Sequence, residues 1–167
     1  MAIQSIMHIS FYTQHLAEMR EFYEHNLGAT PKVIVRNGVY KGVKNRGNWA
    51  KLAETDPNGI AYMFEELAPG QFLELFPTNQ KIRPDATTEV DPLGIDHYTH
   101  FSLLVDDIQQ IYTAFQQQGV PIDVAPNIGN SHTWQMWTHD PDGNKIEIMQ
   151  YTKDSFELTG HIDSPKF

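Results

Sequence analysis

The chain of 167 residues contains no cysteine. This absence excludes disulfide bonds, thiolate-bound zinc, iron–sulfur clusters and a cysteine nucleophile. Any metal must therefore be held by nitrogen and oxygen ligands. With 40% hydrophobic and 20% charged residues, the composition is typical of a globular chain that can bury a core without such cross-links.

Long apolar runs and clusters of basic residues are missing as well. No segment approaches the roughly 18 apolar residues of a membrane span, and residues 1–10 lack the basic start and apolar stretch of a signal peptide. We therefore expect a cytoplasmic protein without a membrane partner. The formal net charge is -9 and there is no block of Lys and Arg, which argues against nucleic acid as a partner, because binding its phosphates needs clustered positive charge.

The sequence repeats itself, and each copy opens on a histidine. Residues Met7–Phe11 return as Thr99–Leu103, so both segments carry His, an apolar residue, Ser and another apolar residue. In each copy a series of apolar residues with helical spacing follows, and it stops at Gly28 in the first copy and at Gly119 in the second. The pattern predicts a strand followed by an amphipathic helix, twice.

The two copies also close alike. The segment Gly70–Leu75 matches Gly143–Ile148, since each has a glycine, two residues, an aliphatic residue, Glu and another aliphatic residue. Asp140-Pro141-Asp142 precedes the second glycine and is a strong turn sequence between two strands. The first copy is longer, and we assign the excess at residues 37–59 to a loop with a short helix.

Four side chains of these repeats are predicted to lie on one side of the sheet. Because strand side chains alternate between faces, His8 and Glu74 lie opposite the apolar residues of their strands, and so do His100 and Glu147. A lone His or Glu in a strand is more often structural or solvated. The recurrence of both residue types at equivalent positions instead favours a single site.

These four residues would suit one divalent metal. Two carboxylates in a partly apolar hollow are costly unless a cation compensates them. Two imidazoles and two carboxylates fit nickel, zinc, cobalt, manganese or iron, without choosing among them. Five further residues are candidates for substrate contacts, three from their parity in the strands and two from their place at the mouth or lid of the cavity: Phe72, Tyr98 and Met149, then His132 and Trp49.

In these residues the sequence resembles the superfamily of glyoxalases, bleomycin-resistance proteins and dioxygenases, also called vicinal oxygen chelate. The resemblance covers nearly the whole chain, and the turn Asp140–Asn144 ahead of Glu147 is quite specific for it. It implies an α+β fold in which two tandem βαβββ modules form a cupped, open, mixed β-sheet barrel with helices outside. We expect one domain over 1–167, with module 1 at about 4–77, a linker at 78–95, module 2 at about 96–151 and a tail at 152–167.

Within this superfamily the ligand pattern is most similar to that of glyoxalase I. The resemblance implies a lactoylglutathione lyase type of enzyme, a homodimer acting on a small hemithioacetal or α-hydroxycarbonyl through a metal-stabilised enediolate. Glu147 would be the catalytic base, with Glu74 as ligand and partner in the proton shuttle. Another metalloenzyme of the same scaffold, an epimerase or a dioxygenase, stays open, and so does a drug-binding resistance protein without catalysis. Residues 37–59 do not resemble a glutathione-binding segment.

Overall fold

A computed structural model describes residues 6–44, 47–79 and 100–161. The chain divides into two compact units, Met1–Ala86 and Thr87–Phe167, and the division falls within the predicted linker. None of the helices in the described ranges is long and apolar enough to cross a membrane.

The first unit consists of one mixed sheet with helices between its strands. The elements are β1 His8–Thr13, α1 Leu16–Arg20, β2 Thr30–Arg36, α2 Asn48–Thr55, β3 Ile60–Ala68 and β4 Gln71–Pro77. The order in the sheet is β1-β4-β3-β2, with β1 parallel to β4 and the other neighbours antiparallel. Helix α1 continues as a π-helical turn at Glu21–Asn26, and a 3-10 turn at Asn37–Tyr40 follows β2.

The second unit has the same arrangement. The elements are β5 Phe101–Leu104, α3 Ile108–Gln118, β6 Val124–Ile128, β7 Trp134–His139, β8 Lys145–Gln150 and α4 Phe156–Thr159. The strand order is β5-β8-β7-β6, again with the first pair parallel and the rest antiparallel. Helix α3, which follows the first strand, packs on three strands of the sheet.

Each unit buries the sheet face that its strand pattern predicted. Leu73 and Leu75 of β4 are fully buried, as are Ile146 and Ile148 of β8. Burial of large aliphatic side chains of this kind contributes about 1.5–3 kcal/mol each. Helical residues complete the two cores: Met19, Phe22 and Tyr23 in the first unit, and Ile108 and Phe115 in the second.

Side-chain hydrogen bonds and a glycine define the two ends of α3 and the turn before β8. Asp107 caps α3, because its carboxylate accepts from the backbone amides of Gln109 and Gln110 at 3.0 Å. Gly119 closes the helix with a φ of 70°. In the turn before β8, the buried carboxylate of Asp140 accepts three hydrogen bonds, from two backbone amides and the Asn144 amide, at 2.8–3.0 Å.

One acidic residue lies on the buried face of the first sheet. Glu65 of β3 is fully buried with Met63, and no hydrogen-bond partner for either of its oxygens is found among the described residues. The Nε of Arg20 is 3.7 Å from Glu65 Oε1, but it donates to Glu24 Oε1 at 2.7 Å. Burial first, and then the charge of Glu24, raise the pKa of Glu65 to about 7 from the ordinary 4.5, while Arg20 lowers it.

Residues 37–59, which were predicted to be a loop with a short helix, contain more regular structure than predicted. The segment contains α2 and a 3-10 turn, and its base is closed by a set of hydrogen bonds. The backbone amide of Asn37 donates to Gly59 O and that of Gly38 donates to Pro57 O, both at 2.9 Å. The Asn37 side chain also donates to Asp56 O at 2.9 Å. These bonds hold the two ends of residues 37–59 together.

The predicted fold class is confirmed, since both units are βαβββ modules with mixed sheets and helices. The glycine stops of both helices are also found: Gly28 and Gly119 have φ values of 71° and 70°. The tail contributes one more helical turn, α4, which the sequence pattern did not indicate. The cupped barrel concerns the arrangement of the two modules and stays a prediction.

Candidate metal site

In the first unit, the parallel pairing of β1 and β4 brings a histidine and a glutamate together. Ser10 is the Cα partner of Glu74, so His8, two residues earlier, lies on the same face. His8 Nε2 is 3.6 Å from Glu74 Oε2, and the Ser10 hydroxyl donates to the same oxygen at 2.6 Å. The Glu74 side chain is 12% exposed and that of His8 is 37% exposed.

In the second unit, the pairing of β5 and β8 builds the same arrangement. Ser102 is the Cα partner of Glu147, and His100 stands directly before the strand. His100 Nε2 is 3.4 Å from Glu147 Oε2, and the Ser102 hydroxyl donates to that oxygen at 2.7 Å. The Glu147 side chain is 10% exposed. The structure therefore places the four predicted ligands as two matching pairs, one within each unit.

An aromatic ring completes each pair. Phe64 of β3 is the Cα partner of Glu74, and its ring meets that of His8 at 86° with centroids 5.6 Å apart. Trp137 of β7 is the Cα partner of Glu147, and its ring meets that of His100 at 71° and 4.7 Å. Each unit thus repeats a set of histidine, serine, glutamate and aromatic residue.

The chemistry of this donor set fits a divalent metal ion. Both glutamates are largely withdrawn from solvent next to aromatic rings, where a bound cation would lower the cost of burying their charge. Imidazole nitrogen and carboxylate oxygen are the ligands that remain to a chain without cysteine. Across the described residues, no group of three or more His, Asp or Glu is assembled that could hold a metal. Coordination of one ion by all four side chains accordingly stays a prediction.

The face of the first sheet that carries His8 and Glu74 is rich in aromatic residues. The ring of Trp49, from α2, stacks between Tyr40 at 4.9 Å and Phe76 at 6.0 Å. Further ring contacts run from Phe76 toward the histidine, with neighbouring centroids 5.6–5.9 Å apart: Phe76–Tyr62, Tyr62–Phe64, Phe64–Phe72 and Phe64–His8. We call the following six residues the aromatic face: Tyr40, Trp49, Tyr62, Phe64, Phe72 and Phe76.

The second unit has an open hollow beside its own pair, with a volume of about 520 Å³. Glu147 and Met149 of β8 line this hollow, together with other side chains that are mostly polar. Glu157 of α4 reaches it and accepts from the buried Thr133 hydroxyl at 2.6 Å, a hydrogen bond that holds the pKa of Glu157 below its usual range. The other lining residues are Asn127, Ile128, Gly129, Asn130, Ser131 and Gln135.

The predicted substrate-contacting residues have different surroundings. Phe72 and Trp49 belong to the aromatic face, and Met149 lines the hollow. His132 has a φ of 60° and stacks on Phe156 of α4 at 4.7 Å, so its ring contacts the tail. Tyr98 lies outside the described residues. Substrate binding by these residues stays a prediction.

Sequence reasoning missed the serines and the aromatic partners of the pairs. Ser10 and Ser102 recur two positions after each histidine, so the repeat itself was the available signal. Phe64 and Trp137 could not be found that way, because they come from a neighbouring strand whose register is set only on folding.

The comparisons with known proteins agree with this architecture. The chain belongs to the Glyoxalase/Bleomycin resistance protein/Dioxygenase superfamily, whose model matches residues 5–148. No curated protein matches the chain at a significant level.

Several solved structures share the fold of this chain at low sequence identity. A glyoxalase/dioxygenase from Nostoc punctiforme is 19% identical, with a TM-score of 0.62 over 90% of this chain and 92% of that one. Lactoylglutathione lyase from Agrobacterium tumefaciens is 19% identical, with a TM-score of 0.58 over 95% and 98% of the two chains. TioX from Micromonospora sp. ML1 is 11% identical, with a TM-score of 0.56 over 89% and 100%.

Proposed function

We propose that this chain is a metal-dependent lyase or isomerase of the glyoxalase I type, acting on a hemithioacetal or α-hydroxycarbonyl. The observation that carries the proposal is the duplicated pair, in which a histidine and a glutamate approach within 3.4–3.6 Å at the same place in both modules. We propose further that the protein is a cytoplasmic homodimer, which sedimentation and cell fractionation would test.

The ligands of one divalent metal would be His8, Glu74, His100 and Glu147. Neutral imidazoles and carboxylates suit nickel, zinc, cobalt, manganese or iron(II). When bound, the metal would act as a Lewis acid on the oxygens of the substrate and so make the neighbouring carbon-bound proton more acidic.

Among the chain's own residues, we assign the proton transfer to Glu147. Its carboxylate would take the proton from the carbon that bears the hydroxyl and return it to the adjacent carbonyl carbon, while the hydroxyl proton passes to the former carbonyl oxygen, so the substrate is isomerised with no net gain or loss of atoms. Glu74 would serve as ligand and as the alternative proton carrier. The Glu147 side chain lines the open hollow of the second unit, and this accessibility to a small molecule favours its role as the base.

The presence of the aromatic face favours a substrate that carries an aromatic or other apolar group. Phe64 of this face contacts His8. From Phe64, ring contacts continue through Tyr62 and Phe76 to Trp49. Aromatic rings of this kind bind a planar apolar group by offset or edge contacts worth about 0.5–1.5 kcal/mol each. An arylglyoxal paired with a small thiol is therefore the first substrate to test.

The experiment compares metal content and turnover in three proteins. The wild-type chain is purified and assayed for bound metal, then incubated after metal loading with α-ketoaldehyde and thiol pairs while hemithioacetal loss is followed by absorbance. At a saturating metal concentration, Glu147→Gln should still hold the ion through the other three ligands but lose turnover by at least about 100-fold, as expected on removal of a general base. Asp123→Asn, which removes a surface carboxylate of the same module, is the matched control and should behave as wild type.

The outcomes separate the candidate functions. Turnover by Glu147→Gln at the wild-type rate would exclude it as the base. A metal-loaded wild type that consumes oxygen instead of isomerising would favour a dioxygenase. A chain that takes up no divalent metal would contradict the enzyme proposal and favour a binding protein.

A further inference from the structure

We propose that Ser10 and Ser102 are positioning residues of the metal site, each of which fixes the carboxylate of one glutamate ligand for metal binding. This inference rests on the proposed metal-dependent function. Neither serine is assigned a contact with metal or substrate; both act through Glu74 and Glu147.

The geometry of the hydrogen bonds is the first argument. Ser10 Oγ donates to Glu74 Oε2 at 2.6 Å and Ser102 Oγ donates to Glu147 Oε2 at 2.7 Å. These are the short distances of hydroxyl-to-carboxylate bonds, which are stronger than neutral ones. In both units the oxygen that accepts from the serine is also the one within 3.6 Å of the histidine Nε2. The hydroxyl therefore holds the carboxylate toward the imidazole with which it would share a metal.

The exposure of the two serines indicates that each hydrogen bond serves to orient the carboxylate and not merely to supply it with a hydrogen-bond donor. Ser10 and Ser102 are both exposed residues, so water could replace either hydroxyl as a donor. A hydrogen bond that water can replace contributes little to folding. It does restrict a glutamate side chain that otherwise has three rotatable bonds, and this restriction lowers the entropy lost when a metal binds.

The duplication is the second argument. The two units use separate strands, yet both place a serine two positions after the histidine and directly opposite the glutamate across a parallel strand pair. The aromatic neighbour of the histidine is Phe64 in one unit and Trp137 in the other, whereas the residue that donates to the glutamate is a serine in both.

The test measures Co²⁺ binding to metal-free protein, so it does not depend on turnover. Isothermal titration calorimetry gives the Kd, and the visible absorption of the bound Co²⁺ reports its ligand geometry. The proteins are wild type, Ser10→Ala, Ser102→Ala, Ser10→Thr and Ser102→Thr. Thr113→Ala is the matched control, because it removes an exposed hydroxyl that donates only to the backbone of α3.

We expect each alanine variant to bind Co²⁺ about 10- to 100-fold more weakly, the usual loss for a partner that orients a metal ligand. Each threonine variant keeps the hydroxyl and should recover most of that affinity and the wild-type spectrum. Thermal unfolding of the metal-free variants should match wild type, because the hydroxyls are exposed.

Three results would overturn the inference. If wild type binds one Co²⁺ per chain and both alanine variants bind it equally well, the serines have no positioning role, although the proposed function survives. If the affinity falls only together with the stability of the metal-free protein and threonine does not restore it, the role is structural. Failure of wild type to bind Co²⁺ would contradict both the inference and the proposed function.

Discussion

The buried carboxyl of Glu65 makes the stability of the first module depend on pH in an uncommon direction. Burial and the neighbouring Glu24 raise its pKa from the ordinary 4.5 to about 7. Between these two values the folded chain binds more protons at this group than the unfolded chain does, so folding becomes less favourable as the pH rises. The effect is complete at about pH 8, one unit above the folded pKa.

The perturbation that isolates this effect is Glu65→Gln. At about 1.4 kcal/mol for each pH unit, the rise in pKa corresponds to about 3 kcal/mol of lost stability once Glu65 is fully ionised. The amide of glutamine has a similar shape and no charge. We therefore expect the free energy of unfolding of the variant, relative to wild type, to increase by about 2 to 3 kcal/mol between pH 5 and pH 8.

Urea denaturation of both proteins at several pH values measures this difference. The constant cost of burying an amide shifts all values equally, so only their change with pH matters. Glu24→Gln, which removes the second cause, should weaken the pH dependence of the chain without abolishing it, because burial is the larger cause. Glu54→Gln alters an exposed carboxylate paired with Lys41 and serves as a control. A Glu65→Gln difference that stays constant from pH 5 to pH 8 would refute the reasoning.

Two further predictions concern the second module. Asp107→Ala removes the acceptor of two backbone amides at the start of α3 and should lower the free energy of unfolding by about 1 kcal/mol, which urea denaturation measures; Asp107→Asn should lose less. Ile148→Ala opens a cavity at a fully buried position and should cost about 2–5 kcal/mol, whereas Ile148→Val should cost about 0.5–1.5 kcal/mol. Equal losses for alanine and valine would mean that the core around β8 closes over the cavity.

Much of the fold could be predicted because its signals are local and occur twice. The alternation around Leu73 and Ile146 fixed the buried faces, and the two glycines marked the ends of the helices. The ordered part of residues 37–59 was less predictable, because its order depends on hydrogen bonds between its two ends and on the stacking of Trp49.

The candidate site was predictable only in part, for a related reason. The histidines and glutamates could be recognised from their equivalent positions in the two repeats. The rings of Phe64 and Trp137 could not, because the contact depends on the register of an adjacent strand and not on any spacing from the histidine. Glu65 was also missed, because a lone glutamate in a strand is more often solvated and no repeat in the sequence singled it out.

The pairing of Arg36 with Ile60 has a consequence for engineering the first module. These two residues are Cα partners at the ends of adjacent antiparallel strands, so everything between them is an excursion from a β-hairpin. Replacing residues 37–59 by a tight Asn-Gly turn would shorten the first module toward the length of the second. Such a trimmed chain would lack Tyr40 and Trp49 yet retain His8 and Glu74, and so would allow the proposed substrate contacts to be tested separately from the proposed metal ligands.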